Sequence, residues 1–194
     1  MKKQLFSAML SIACVLSISL SSLVFADSGG RSDGIGISPN QTYKLKQQAT
    51  SPVLFIDVRD PVEIMFVGFT DEVDLNIPFL IVDRSQWNAE KNSFRLYRNP
   101  DFIAQVEQAL QDRGMDKSAT IITMCRSGSA RGLPSAEFLR NNGFENARYV
   151  VNGFQGSAVK DGAQKGLRIK NGWQNSGLPW GSKPNADKIF RVDR

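Results

Sequence analysis

Cys125 and the six residues after it, Arg126-Ser127-Gly128-Ser129-Ala130-Arg131, hold the side chains best suited to chemistry. A cysteine acts as a nucleophile through its thiolate, so what matters is whether its surroundings favour negative charge. Gly and Ser let a short loop curl until its backbone N–H groups converge into an anion-binding nest. Arg126 and Arg131 add positive charge nearby, which favours thiolate over thiol. The plain alternative is a buried structural cysteine, but such residues rarely stand beside Gly, two Ser and two Arg. The chain has no histidine. Ser-His-Asp and Cys-His pairs are therefore excluded, as are most transition-metal sites, and acid–base work falls to carboxylates, lysine or the thiolate itself. Neither a metal nor an organic cofactor is expected.

The elements that must position this loop follow from hydrophobic patterning. Thr120 to Met124 is a β-branched apolar run that fits a buried strand, and Leu133 to Asn142 reads as a helix closed by Gly143. Cys125 then stands where a strand delivers the chain towards a helix N-terminus. Upstream, Ser38-Pro39 is an N-cap and first-turn proline for a helix reaching about Gln48. Val53 to Val58 is a near-continuous apolar strand, and Asp60 caps a short helix from Pro61 that Gly68 ends. Val73 to Pro78 reads as another short strand. Leu80 to Asn92 reads as loop with one brief element. Pro100 to Arg113 has helical spacing and stops at Gly114, and Ala147 to Val151 is a last strand before the turn at Asn152-Gly153. Strands alternating with helices predict an α/β domain with a mainly parallel sheet, in which ligands bind beyond the carboxyl ends of the strands. Residues 161–194 form an irregular arm that Trp173 and Trp180 pin to the domain, with a sugar- or partner-binding aromatic patch as the lesser reading of those two rings.

Length and composition bound the rest. A chain of 194 residues supports one domain with a substantial core. Lys2 and Lys3 precede an apolar run from Leu5 to Val24, and Val24-Phe25-Ala26 supplies small residues for cleavage, so residues 1–26 read as a signal peptide. A membrane anchor is the alternative, but serines dilute the run and no charged stop follows it closely. Cleavage after Ala26 makes the protein periplasmic or secreted, without a stable membrane anchor, and residues 27–36 read as a flexible leader. Cys14 leaves with the signal, so Cys125 is the single cysteine of the mature chain and no internal disulfide forms. A lone thiol in an oxidising compartment is a liability unless it has work to do. Loss of Lys2 and Lys3 lowers the formal charge from +5 to +3. No basic stripe interleaved with aromatics accompanies that mild excess, so no nucleic-acid partner is expected.

Four motifs in order resemble the rhodanese-like sulfurtransferases: Phe55-Ile56-Asp57-Val58-Arg59, Cys125-Arg126-Ser127-Gly128, Asn142-Gly143-Phe144 and Val151-Asn152-Gly153-Phe154. The resemblance spans residues 37–160. Gly172-Trp173 and Gly177-Leu178-Pro179-Trp180 are similar to the tail of an exported bacterial branch. It implies a rhodanese-like α/β fold, with a mainly parallel five-stranded sheet flanked by helices. It also implies a nucleophilic Cys125 that takes a sulfane sulfur from an anionic donor such as thiosulfate. The persulfide so formed passes its sulfur to cyanide or a thiol, including a thiol on a protein acceptor. Arg126 and Arg131, with the backbone of Ser127, Gly128, Ser129 and Ala130, would hold the donor. Asp57 and Arg59 read as structural support at a strand end.

The loop departs from the family at one place. The arginine that usually stands five residues after the cysteine is here Ala130, and Arg131 follows one later, which reads as a one-residue insertion. Cys-x5-Arg is the spacing of cysteine phosphatases and related arsenate reductases, where a wider cradle holds a tetrahedral oxyanion. Met124 stands where those enzymes usually carry histidine, and Arg126 to Ala130 include no carboxylate to protonate a leaving group. Asp57, Asp60 and Glu63 are the carboxylates another loop could bring. A non-catalytic sulfur-carrier or anion-binding module is the third reading.

Overall fold

The computed structural model describes residues 34–48 and 52–192, so the expected signal segment and most of the expected leader lie outside the described residues. Five strands form one all-parallel sheet: β1 (Gly36–Ile37), β2 (Val53–Asp57), β3 (Leu75–Asn76), β6 (Thr120–Met124) and β7 (Ala147–Val150), in the order β1-β7-β6-β2-β3. β2 and β6 are central and pair in register from Val53 opposite Thr120 to Asp57 opposite Met124. Side chains alternate across them, as extended backbone requires. Leu54, Ile56 and Ile121 enter one core with Phe102, Val106, Leu110 and Leu139. Phe55, Ile122 and Met124 enter the other with Ile64, Phe69, Phe154 and Trp173. Burial on both faces explains why β2 carries no polar alternation.

The helices are α1 (Pro39–Gln47), α2 (Pro61–Val67), α3 (Phe102–Gln111) and α4 (Gly132–Arg140). Their ends are written locally. Ser38 and Gln41 close a capping box on α1, and Asp60 accepts from the Val62 N–H to open α2. Gly68 ends α2 at φ +100°, where a Cβ would stand 2.7 Å from the Gly181 carbonyl. Among the described residues no helix is long and apolar enough to cross a membrane.

Three expectations need correction. Leu80 to Asn92 is no loop: β4 (Leu80–Asn88) and β5 (Ser93–Arg98) form an antiparallel hairpin with an irregularity between Asp83 and Trp87. Its signal was hidden because β5 is exposed along its length, so no buried face imposes an apolar alternation. The strand read over Val73 to Pro78 shortens to the two residues of β3. Gly36, the last leader residue, belongs to edge strand β1, which is held by backbone bonds such as Val151 N–H to Ile37 O at 2.8 Å and needs no side-chain pattern.

The arm is anchored unequally by its two tryptophans. Trp173, at the start of a short 3₁₀ turn (Trp173–Ser176), is fully buried against Phe55 and Tyr43, with ring centroids 5.4 and 6.2 Å away. Its Nε1–H donates to the Pro179 carbonyl at 2.9 Å. Trp180 stays 48% exposed and meets Phe154 edge-on. Phe69 and Gly181 exchange both backbone bonds at 2.8 Å, and Gln174 donates to the Val67 carbonyl, so the arm also grips the end of α2.

Candidate active site

Cys125 follows the last residue of β6 at the carboxyl edge of the sheet and is 1% exposed. Its Sγ lies beside Gly132, the first residue of α4, only 3.4 Å from where a Cβ would stand. Its carbonyl accepts the Phe154 N–H at 2.7 Å, which locks the strand end to the turn after β7. That turn fits the loop closely. A Cβ on Gly153, at φ +57°, would stand 2.1 Å from the Cys125 carbonyl oxygen, and one on Gly128, at φ +81°, would stand 2.8 Å from the Asn152 nitrogen. Both positions require glycine, by conformation and by space.

Along the loop, Gly128 O accepts the Leu133 N–H at 2.9 Å. The backbone N–H groups of Arg126, Ser127, Gly128, Ser129, Ala130, Arg131 and Gly132 find no acceptor among the described residues. Ser127 and Ser129 hold each other's hydroxyls at 3.2 Å. A run of unpaired donors at a helix N-terminus beside a sulfur is suited to an anion.

The two arginines of the loop differ. Arg126 is half-buried, and its Nε–H donates to Gln155 Oε1 at 2.8 Å. Arg131 turns onto α2, donating from Nη1 to Glu63 Oε2 at 2.6 Å and from Nη2 to Glu63 Oε1 at 3.1 Å. Burial, the largest influence on Arg131, works against its charge. The Glu63 bond and charge, with smaller help from Cys125 and Asp57, outweigh burial and raise its pKa. Among the three carboxylates considered from the sequence, Glu63 is the one that meets the loop. Asp60 is spent on the N–H groups of Val62 and Val82, and Asp57 on Arg59.

Asp57 and Arg59 lie at the end of β2 as a fully buried pair, with Nη2 to Oδ2 at 2.5 Å. Arg59 also donates to the Gly68 carbonyl and stacks its guanidinium 4.2 Å over the Phe154 ring. Its position supports the Phe154 turn rather than presenting a donor to the loop. Two residues absent from the sequence reading reach the site. Gln155 holds Arg126, and Arg168 of the arm donates to the carbonyl of Gly156, whose own N–H donates to the Arg126 carbonyl. Neither belongs to a local motif, so spacing carried no signal for them.

A cysteine loop between the carboxyl end of a central parallel strand and a helix N-terminus defines an α/β protein with its cysteine at the sheet edge. Residues 38–158 match the family model described as Rhodanese-like domain. The chain belongs to the rhodanese-like family, with the five-stranded parallel sheet the resemblance implied. Among solved structures it is similar to a rhodanese-related protein from Thermoplasma volcanium, at 18% identity and a TM-score of 0.42, covering 76% of this chain and 98% of that one. It is also similar to an uncharacterized protein from Saccharomyces cerevisiae, at 19% identity and a TM-score of 0.38, covering 61% and 85%. No curated protein sequence matches the chain.

Proposed function

We propose that this protein is a sulfurtransferase working through a persulfide on Cys125, exported from the cytoplasm by residues 1–26. The observation that carries the reading is the position of the Cys125 sulfur beside Gly132, at the head of α4, next to a loop whose N–H groups from Arg126 to Gly132 find no acceptor among the described residues. The Cys125 thiolate attacks the outer, sulfane sulfur of an anionic donor such as thiosulfate. The donor S–S bond breaks, sulfite leaves with the electron pair, and a Cys–S–S⁻ persulfide remains. The loop N–H groups and Arg126 stabilise the leaving anion and then the persulfide. A nucleophilic acceptor, cyanide or a thiolate, attacks the outer sulfur and returns the Cys125 thiolate. No external oxidant or reductant enters the balance. Burial of Cys125 favours small donors.

The Cys-x5-Arg phosphatase or arsenate reductase reading receives less support. It asks for a free arginine on the oxyanion and a free carboxylate on the leaving group. Arg131 and Glu63 are instead engaged with each other.

Intact mass after incubation with thiosulfate tests the reading. A gain of one sulfur that cyanide reverses, and that disappears in Cys125→Ser, is expected. Phosphate release from an aryl phosphate without sulfur uptake would overturn it, and an absence of any sulfur adduct would leave a binding module as the function.

A further inference from the structure

Arg168 lies outside the matched family region, on the arm that follows it and is bonded back to the chain beside Arg126. The connection is made through Gly156. Arg168 Nη1 donates to the Gly156 carbonyl, while the Gly156 N–H donates to the Arg126 carbonyl at 3.1 Å. Asn175 braces both sides, donating to the carbonyls of Asn171, Arg168 and Gln155 at 2.8, 3.3 and 3.4 Å. Close fit keeps the arm in place, since a Cβ on Gly156 would stand 2.1 Å from the Asn171 carbonyl oxygen.

The charges around the sulfur then divide into two kinds. Arg59 and Arg131 are each neutralised by a carboxylate. Arg126 and Arg168, both half-buried, form no ion pair among the described residues. Burial first, and the Arg126 charge second, hold the Arg168 guanidinium below its ordinary pKa, while Glu63 and Cys125 act in the opposite sense. Two unneutralised cations linked through Gly156 repel each other, and an anion shared between them relieves that repulsion. A dianion gains from both; a monoanion gains less.

We infer that Arg168, supplied by the C-terminal arm, and Arg126 together form a two-guanidinium rim that selects dianionic sulfur donors for the Cys125 loop. The donor role rests on the sulfurtransferase reading, whereas the rim can be tested by binding alone. Arg168 binds the incoming anion directly and leaves the sulfur chemistry to Cys125.

The test measures sulfate affinity by calorimetry, and KM and kcat with thiosulfate and with the monoanion methanethiosulfonate. Arg168→Ala is compared with Lys170→Ala, which removes the same charge from an exposed site on the same arm. Arg168→Ala is expected to weaken sulfate and raise the thiosulfate KM by about tenfold or more, the scale of a charge-assisted bond, with kcat within about twofold. The methanethiosulfonate KM should move less than about threefold. Lys170→Ala should move none of these by more than about twofold. Arg168→Lys keeps the charge and is expected to retain sulfate affinity within about fivefold, which separates a charge role from loss of the Gly156 bond. The inference is overturned if Arg168→Ala binds sulfate like the parent, if both donors weaken equally, or if Arg168→Lys is as weak as Arg168→Ala. A protein that transfers no sulfur but shows the sulfate loss would retain the rim and refute the proposed reaction.

Discussion

Arg131 and Glu63 meet in a bidentate ion pair, at 2.6 and 3.1 Å, that joins the end of the cysteine loop to α2. The arginine whose spacing suggested an oxyanion clamp is therefore also tied to α2. The side chains are 11% and 21% exposed, so the pair is screened more than a fully buried one.

Removing Glu63 should uncouple these two effects. Glu63→Ala leaves Arg131 partly buried and unpaired, and a loss of about 2 kcal/mol in unfolding free energy is expected, below the range for fully buried pairs. The released guanidinium should also tighten sulfate binding severalfold. Urea denaturation and calorimetry read the two quantities; unchanged stability would mean that the tether carries nothing.

At the end of β2 the expectation is larger. Asp57 and Arg59 are fully buried, and Arg59 Nη1 has no hydrogen-bond partner among the described residues. Asp57→Asn leaves a buried cation without its counter-charge, and about 3–5 kcal/mol of destabilisation should follow. Chemical denaturation giving less than about 1 kcal/mol would show that the Phe154 stacking and Gly68 bond hold Arg59 unaided.

Gly153 offers a test of the loop's backbone fit. Gly153→Ala adds a Cβ 2.1 Å from the Cys125 carbonyl at a positive φ, whereas Gly162→Ala faces only the positive φ, with open space around it. The first should cost about 3 kcal/mol or more and abolish sulfur uptake, the second about 1 kcal/mol with uptake intact. Equal thermal shifts in the two variants would contradict the close approach.

The two tryptophans of the arm should separate by burial. Trp173→Ala empties a fully enclosed site and should cost about 3–5 kcal/mol. Trp180→Ala, at a half-exposed ring, should cost about 1 kcal/mol. Thermal melts reporting equal losses would restore the picture of a doubly pinned arm.

Much of this was legible in one dimension because its causes are local. Apolar runs revealed β2 and β6 because both of their faces are buried. Ser38, Asp60 and Gly68 marked helix ends because caps act within four residues. The cysteine loop could be found because Gly, Ser and Arg cluster beside Cys125. The hairpin β4–β5 escaped because an exposed ribbon imposes no apolar period, and β1 because backbone bonds hold an edge strand whatever its side chains.

What the sequence alone determined was the parallel α/β architecture and the cysteine at a strand end. Only the tertiary structure decided which charge meets which. Glu63 reaches Arg131 across 68 residues, and Arg168 reaches the Gly156 carbonyl from an arm that buries Trp173 in the core. The physical reason is that helix and strand signals arise from neighbours along the chain, whereas a guanidinium chooses its partner by distance in space. That distance is set by the packing of both cores at once.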